Sequence, residues 1–250
     1  MDINQYLQRF RVEDVEEISL ERLNHLQLQH MLHVPFENLD VIHRIPITLN
    51  LEAFYNKIVL NNRGGFCYEL NGLFNWLLQS LGFNSYLISG TINRPDGSWA
   101  LKGSHACLIV EIDQPYLVDV GFGDSVRGPL PLTGETKEDV SGIYRVVKVE
   151  DTFYFYDLQR KNNQDWDTLY RLDISPRELK EFKDACYFNQ TSSKSHFTQK
   201  QIVSLAAEDG RYTLSGNSFI VTRLQEKQKM DVDIEEIPYI LNKYFHIKNI

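Results

Sequence analysis

The chain has only three cysteines, Cys67, Cys107 and Cys186, odd in number and widely spaced, so neither a disulfide framework nor a zinc knuckle can be built from them. Each is either a small buried apolar residue or a reactive thiol. No stretch approaches about 18 consecutive apolar residues, and the longest run, Gly72 to Phe83, is broken by Asn75, Gln79 and Ser80, so no membrane span is expected. The opening Met1-Asp2-Ile3-Asn4-Gln5 lacks the basic and apolar regions of a secretory leader, which makes a cytoplasmic protein the expectation. There is no P-loop and no long basic run. The 26 Lys and Arg residues face 34 Asp and Glu, for a formal net charge of −8, which argues against nucleic acid as a partner.

What is present is enough for a sizeable core. Of the 250 residues 42% are hydrophobic, and 13 Tyr and 14 Phe can line an aromatic cleft. The first third reads as helical: Ile3, Tyr6, Leu7 and Phe10 share one face, and Leu20, Leu23, Leu26 and Met31 share another behind a Ser19 cap. Leu51, Phe54 and Ile58 mark a third helix that stops at Asn61-Asn62-Arg63-Gly64-Gly65. A fourth follows at once, with Cys67 in its first turn and Leu70 to Leu81 on its apolar face. From Ser85 the period shortens. Tyr86–Ile92, His105–Ile112, Tyr116–Phe122, Tyr144–Val149 and Phe153–Leu158 read as strands, and the short links between them favour antiparallel hairpins in a barrel or sandwich. Ser175-Pro176-Arg177-Glu178 has the form of a helix start, Asn189 to Ser195 is the best linker candidate, Gln201–Ala207 and Tyr212–Leu224 read as strands, and Ile237 to Tyr244 as a last helix.

Cys67 has the least ordinary setting. It follows Arg63-Gly64-Gly65-Phe66 and opens a helix, where backbone N–H groups and the positive end of the dipole favour a thiolate, while the double glycine admits a backbone or a ligand close to the sulfur. Packing of a small residue at a helix start is the competing explanation. A nucleophilic thiol needs a base and an orienting acceptor. His105 and Asp119 stand fourteen residues apart on adjacent expected strands and can meet; a structural Asp and an edge-strand His are the plainer alternative. Cys107 and Cys186 fall on core faces. His30 and His33 lie three apart on a helix, with no third ligand at a metal-binding spacing, and read as solvated histidines. Glu37 and Arg63 form either a surface pair or a buried brace for the cysteine loop. The residues by themselves reach a cysteine enzyme with Cys, His and Asp in that order.

Four separated motifs carry a resemblance. Val34-Pro35-Phe36-Glu37-Asn38-Leu39, Arg63 to Gly72, His105, and Val118-Asp119-Val120-Gly121-Phe122-Gly123 resemble the arylamine N-acetyltransferases. The resemblance implies an α+β fold with a cysteine-protease-like Cys-His-Asp core: a helical bundle over 1–83, an antiparallel β-barrel over 84–190 and an α/β lid over 191–250. It implies Cys67 as acetyl-accepting nucleophile, His105 as base and Asp119 as orienting residue, with acetyl-CoA as co-substrate, no metal, and arylamines, arylhydrazines or N-hydroxyarylamines as acceptors in a ping-pong reaction. Phe122, Phe66, Tyr68 and Phe36 are then substrate-side residues, the Tyr68 backbone N–H an oxyanion donor, and Arg63 with Glu37 the brace. Lys102, Gly103, Ser104, Ser193 and Ser195 are candidates for coenzyme A contacts. A cysteine hydrolase or transglutaminase-like enzyme would use the same triad order, and a triad serving only for binding is the non-enzyme alternative. Oligomeric state and physiological acceptor are not fixed by the sequence.

Overall fold

A computed structural model describes residues 1–13, 17–224 and 226–248. Five helical pieces form the first unit: α1 (Ile3–Arg9), α2 (Leu20–His33), the single turn α3 (Leu39–Ile42), α4 (Leu51–Tyr55) continued by a π-turn over Asn56–Leu60, and α5 (Cys67–Ser80). Asp2, Ser19 and Asn50 cap α1, α2 and α4 through their side chains, as short polar residues do at helix starts. Their apolar faces meet in one core around Phe10, Leu23, Leu26, Phe54, Leu73 and Phe74. His30 belongs to that core rather than to the solvated face expected of it. Its Nε2 lies 2.9 Å from the Tyr6 hydroxyl, and burial lowers its proton affinity to about 3, so it is neutral and apolar in behaviour.

Eight antiparallel strands follow: β2 (Asn84–Ile92), β3 (His105–Glu111), β4 (Pro115–Val118), β5 (Leu130–Pro131), β6 (Lys137–Asp139), β7 (Gly142–Lys148), β8 (Phe155–Asn162) and β9 (Asp165–Arg177). They are ordered β5-β4-β3-β2-β9-β8-β7-β6 and curl into a nearly closed barrel, since β5 returns to β7. Ile88, Cys107, Ile109, Val146, Leu158 and Leu172 fill it. The N-terminal two-residue strand β1 (Phe36–Glu37) pairs instead with the third unit, a sheet ordered β1-β10-β11-β12-β13 built from β10 (Ile202–Ala207), β11 (Gly210–Ser215), β12 (Ser218–Arg223) and β13 (Glu226–Asp231). Helix α7 (Ile237–Phe245) packs on that sheet through Ile240, Leu241 and Phe245. The architecture is α+β: bundle, barrel, and a third unit of antiparallel sheet and helix. Among the described residues no helix is long and apolar enough to cross a membrane.

Four local expectations are corrected. The apparent helix start at Ser175-Pro176 lies inside β9, which runs through Arg177. Beyond Asp173 its ladder with β8 ends, and Pro176 falls in the irregular stretch of its ladder with β2, between the pairs Ser89–Asp173 and Leu87–Arg177, where a bulge tolerates a missing N–H; the next helical turn begins at Leu179. Strand β4 ends at Val118, so Asp119 opens a loop rather than occupying a strand. Tyr212–Leu224 is two strands, β11 and β12, divided by Gly216 and Asn217. Finally, Asn189 to Ser195 is no free linker. Asn189 and Ser195 are buried, the end of helix α6 (Lys183–Thr191) supplies its first part, and the Ser195 hydroxyl donates to the Asn189 carbonyl.

Candidate active site

Helix α5 begins at Cys67 because Phe66 is held extended, with the Glu69 carboxylate accepting the Phe66 N–H at 3.1 Å. The approach to the cysteine is set by the preceding glycines. A Cβ on Gly64 would stand 1.9 Å from the Pro35 carbonyl oxygen, so it is a backbone, the segment leading into β1, that the double glycine admits. Glu37 on β1 donates its N–H to Gly65 at 2.8 Å and closes that contact.

Charge underpins the same loop. Arg63 meets Glu37 at 2.7 Å and Asp40 at 2.9 Å, and Lys57 meets Asp40 at 2.8 Å and Glu69 at 2.9 Å. All five are buried or nearly so, which makes Arg63 and Glu37 an internal brace rather than a surface pair. Three carboxylates against two cations leave one negative charge in excess. It falls on Glu69, where burial, with Glu37 nearby, pushes the carboxyl up to about 7 against the pull of Lys57. Sequence reasoning found two of the five; Asp40, Lys57 and Glu69 come from separate helical turns and show no mutual spacing.

Buried Cys67, His105 and Asp119 come together at the junction of bundle and barrel. His105, first residue of β3, donates from Nε2 to Asp119 Oδ2 at 2.7 Å. Burial alone would strip its proton, but the Asp119 carboxylate and then the Cys67 sulfur overcome this and raise its affinity to about 10. Asp119 is held below the usual carboxylate range against burial, by His105 and by hydrogen bonds. Its Oδ1 accepts Asn71 Nδ2 and the Gly121 N–H, both at 2.8 Å, and its Oδ2 accepts the Tyr170 hydroxyl at 2.7 Å. A carboxylate so saturated stays ionised and acts only as an acceptor, which fixes His105 Nε2 as the donor and leaves Nδ1 for the cysteine side. Asn71 also donates to the Ala106 carbonyl and accepts the Val120 N–H. Neither Asn71 nor Tyr170 was singled out from sequence. Asn71 left one trace, a polar residue four after Cys67 on an otherwise apolar helix face, and Tyr170 another, its place in the alternation Trp166, Thr168, Tyr170, Leu172 and Ile174 of β9.

The loop after Asp119 is pressed against Cys67. A Cβ on Gly121 would come 2.7 Å from Cys67 Cα, so only glycine lets that backbone pass. Beside it opens a cavity of about 180 Å³ lined by Cys67, His105, Phe36, Phe122, Ile92 and Phe197 among others. Phe122 stands 5.5 Å ring to ring from His105 and 5.1 Å from Tyr170. Phe66 and the Tyr68 side chain lie outside the lining. Phe66 is wholly buried against Phe197, and the Tyr68 hydroxyl donates to Gly103 at 3.0 Å and accepts Asn189 Nδ2 at 3.2 Å. The Tyr68 backbone N–H sits in the first turn of α5, where N–H groups lack intrahelical partners.

The candidates for coenzyme A contacts are spread out. Ser104 lines the cavity and Lys102 is exposed near its mouth; Gly103 is tied to Tyr68, and Ser195 Oγ is spent within its own turn. Ser193 faces a different and wider cleft, of about 1070 Å³, on the far side of the 187–200 segment. Among the described residues no Asp or Glu lines the smaller cavity, while Arg94, Lys194 and His196 do.

A family model described as N-acetyltransferase matches residues 19–249. The chain is 32% identical over 252 residues to the arylamine N-acetyltransferase, pineal gland isozyme NAT-10, of Gallus gallus, covering 93% of this chain and 87% of that one. The crystal structure of (BACCR)NAT3 arylamine N-acetyltransferase from Bacillus cereus, described as revealing a unique Cys-His-Glu catalytic triad, aligns with a TM-score of 0.91 at 27% identity over 100% of both chains. That of the Mycobacterium marinum arylamine N-acetyltransferase in complex with CoA aligns at 0.90 and 30% identity, over 99% of this chain and 93% of that one. In the present chain the carboxylate facing the histidine is an aspartate.

Proposed function

The chain belongs to the arylamine N-acetyltransferases, an acyltransferase family, and on that premise we propose that it moves an acetyl group from acetyl-CoA to aromatic amines or hydrazines through a thioester on Cys67. The observation that carries the reading is the chain of contact Cys67–His105–Asp119, whose first two members line an apolar cavity.

His105 is the proton carrier. With Nε2 committed to Asp119, its Nδ1 takes the Cys67 proton, and the high affinity conferred by the carboxylate keeps the imidazolium beside the sulfur at neutral pH. Cys67 Sγ attacks the acetyl carbonyl carbon, and the first-turn N–H groups of α5, that of Tyr68 included, face the developing oxyanion. Collapse breaks the bond from the acetyl carbon to the sulfur of coenzyme A, which leaves as the thiol with the proton from His105. The acceptor nitrogen then attacks the thioester. Neutral His105 removes its proton, the C–S bond to Cys67 breaks, and the N-acetylated product departs. An apolar, narrow cavity suits the thin pantetheine arm and then a planar ring in turn. Lys194 and Arg94, with no carboxylate among the lining residues, suit the anionic end of coenzyme A. Unpaired cysteines fit a reducing, cytoplasmic setting.

Intact-protein mass after mixing with acetyl-CoA tests this directly. One acetyl group should appear on Cys67 and be lost on adding an arylhydrazine, with acetylhydrazide formed in equal amount. No adduct would remove the reading, and an adduct discharged to water at the same rate with or without hydrazine would make the enzyme a hydrolase.

A further inference from the structure

The residues Asp119 to Gly123 form one continuous loop after β4, and different parts of the molecule hold its two ends. The first end belongs to the bundle. Gln27 Nε2 donates to the Asp119 carbonyl at 3.3 Å, Asn71 Oδ1 accepts the Val120 N–H at 3.0 Å, and the Gly121 N–H folds back to Asp119 Oδ1 at 2.8 Å. The second end belongs to the C-terminal sheet. Ser204 Oγ on β10 donates to the Gly123 carbonyl at 3.1 Å, and the buried Arg211 guanidinium on β11 donates to that same carbonyl and, at 3.0 Å, to Ser204 Oγ. Asp124, next in the loop, brings Oδ1 to 3.3 Å from Arg211 Nε. Further along, Arg127 reaches the opposite way, donating to the Ala207 carbonyl at 2.6 Å and to that of Glu208 at 3.3 Å, where β10 turns into β11. A guanidinium taken out of water is costly unless its donors are used, and here Nη1 is used on the backbone of a loop that also carries Asp119, while Nε has only the ion-pair approach of Asp124.

Phe122 is the residue between the two anchorages. The side chains that fix Asp119 lie on the bundle, Asn71 and Gln27, and on the barrel, His105 and Tyr170, whereas the Gly123 carbonyl, one residue beyond Phe122, rests on Ser204 and Arg211 of the third unit. We infer that Arg211, with Ser204, is a positioning residue. It holds Gly123 so that Phe122 forms a fixed wall for the ring of the acceptor, and the third unit thereby governs the second half-reaction without entering the first. The inference rests on the proposed acetyl transfer, and it assigns to a strand of the third unit a share in acceptor selection. The division of anchors gives it a definite signature. Loss of Arg211 frees Phe122 while Asp119 and His105 keep their bonds to the bundle and the barrel.

The test separates the half-reactions in the wild type and in Arg211→Met, Arg211→Lys and Ser204→Ala. Acetylation of Cys67 by acetyl-CoA is followed by intact mass in rapid-quench samples, and discharge to an arylhydrazine by product formation at varied acceptor concentration. Arg211→Met should acetylate within about twofold of the wild type yet show acceptor KM raised about tenfold with kcat changed much less, the pattern of lost acceptor positioning rather than lost chemistry. Arg211→Lys, which keeps a charged donor for the Gly123 carbonyl, should recover most of the loss, and Ser204→Ala, which removes the second donor without touching the buried charge, should raise the same KM by about threefold. Unchanged KM in all variants overturns the inference, and so does an equal fall in both half-reactions. Should Arg211→Met fail to fold, unchanged KM in both Arg211→Lys and Ser204→Ala is decisive against it. If the wild type itself takes no acetyl group, the proposed function is what fails, and the inference falls with it.

Discussion

Tyr170 places its hydroxyl 2.7 Å from Asp119 Oδ2, the same carboxylate oxygen that receives His105 Nε2 at 2.7 Å. Burial, reinforced by the neighbouring carboxylate, raises the phenol well above its ordinary range, so it remains a donor at any working pH. The phenol and Asn71 therefore fix the carboxylate from two sides, and the carboxylate fixes the imidazole. Tyr170→Phe removes one hydrogen bond to a charged group and leaves the ring's packing. The expected result is a folded protein whose Cys67 acetylates about tenfold more slowly, equivalent to about 1.4 kcal/mol. Rapid-quench mass measurement checks it, and an unchanged rate would mean that Asn71 and the Gly121 N–H suffice.

Stability should carry the signature of the His105–Asp119 pair. Folding raises His105 from its ordinary 6.5 to about 10, since the gain from Asp119 and Cys67 exceeds the burial cost. The folded state thus binds the proton more tightly. The pair's contribution is complete below pH 6.5 and is lost as pH rises through 10. Urea denaturation of the wild type should show stability declining across that window, and His105→Gln should show a flatter profile. Parallel slopes in the two proteins would remove His105 as the source.

How far the sequence reached follows from where each signal resides. Helix α5 and the place of Cys67 at its start were legible because the Gly64-Gly65 break and a 3.6-residue apolar period are local, and β2 to β4 because they are runs of apolar and β-branched residues. Strand β9 was passed over although Trp166, Thr168, Tyr170, Leu172 and Ile174 alternate with Asp165, Asp167, Arg171 and Asp173, because its outward face is charged and its far end imitates a helix cap. What makes it a strand is pairing with β2 and β8, a tertiary fact. The edge strand β13, Glu226–Asp231, is nearly all polar for the same reason that it is hard to read, since it is exposed along its whole length. Tyr170 lay inside β9, and Lys57 on a helix whose apolar face drew the attention. The triad could be assembled from residue types and order, whereas the groups that hold it could not, because they act over sequence separations of up to 92 residues, the span from Gln27 to Asp119.

Lys57 is the pivot of the charge cluster under the cysteine loop. Its ammonium, 12% exposed, reaches Asp40 and Glu69 at 2.8 and 2.9 Å. Lys57→Met would leave those carboxylates with Arg63 alone, and Arg63 does not reach Glu69. Breaking a buried pair in this way should cost about 3–5 kcal/mol in urea denaturation. Adding Glu69→Gln, which removes the most strained of the three carboxylates yet keeps an oxygen for the Phe66 N–H, should recover part of the loss. A single-variant cost below about 1 kcal/mol would show the cluster behaving as a surface network.

Gly121 tests whether the nucleophile and the orienting carboxylate are held in register by backbone contact. An added Cβ would lie 2.7 Å from Cys67 Cα and 2.6 Å from Asn71 Nδ2. Neither neighbour can give way cheaply. Cys67 Cα is backbone at the start of a helix, and Asn71 Nδ2 is already shared between Ala106 and Asp119. Gly121→Ala must therefore push the loop off the helix, carrying Asp119 and Phe122 with it. Overpacking of this kind should cost about 1–3 kcal/mol of stability, and misplacing the triad by a fraction of an ångström to an ångström should slow acetylation of Cys67 by about a hundredfold. Because the displacement acts on the orienting carboxylate as well as the acceptor wall, both half-reactions should fall together, unlike the selective effect expected at Arg211. Full acetylation rate in a folded Gly121→Ala protein would show that the loop has slack and that the close approach at Gly121 serves packing alone.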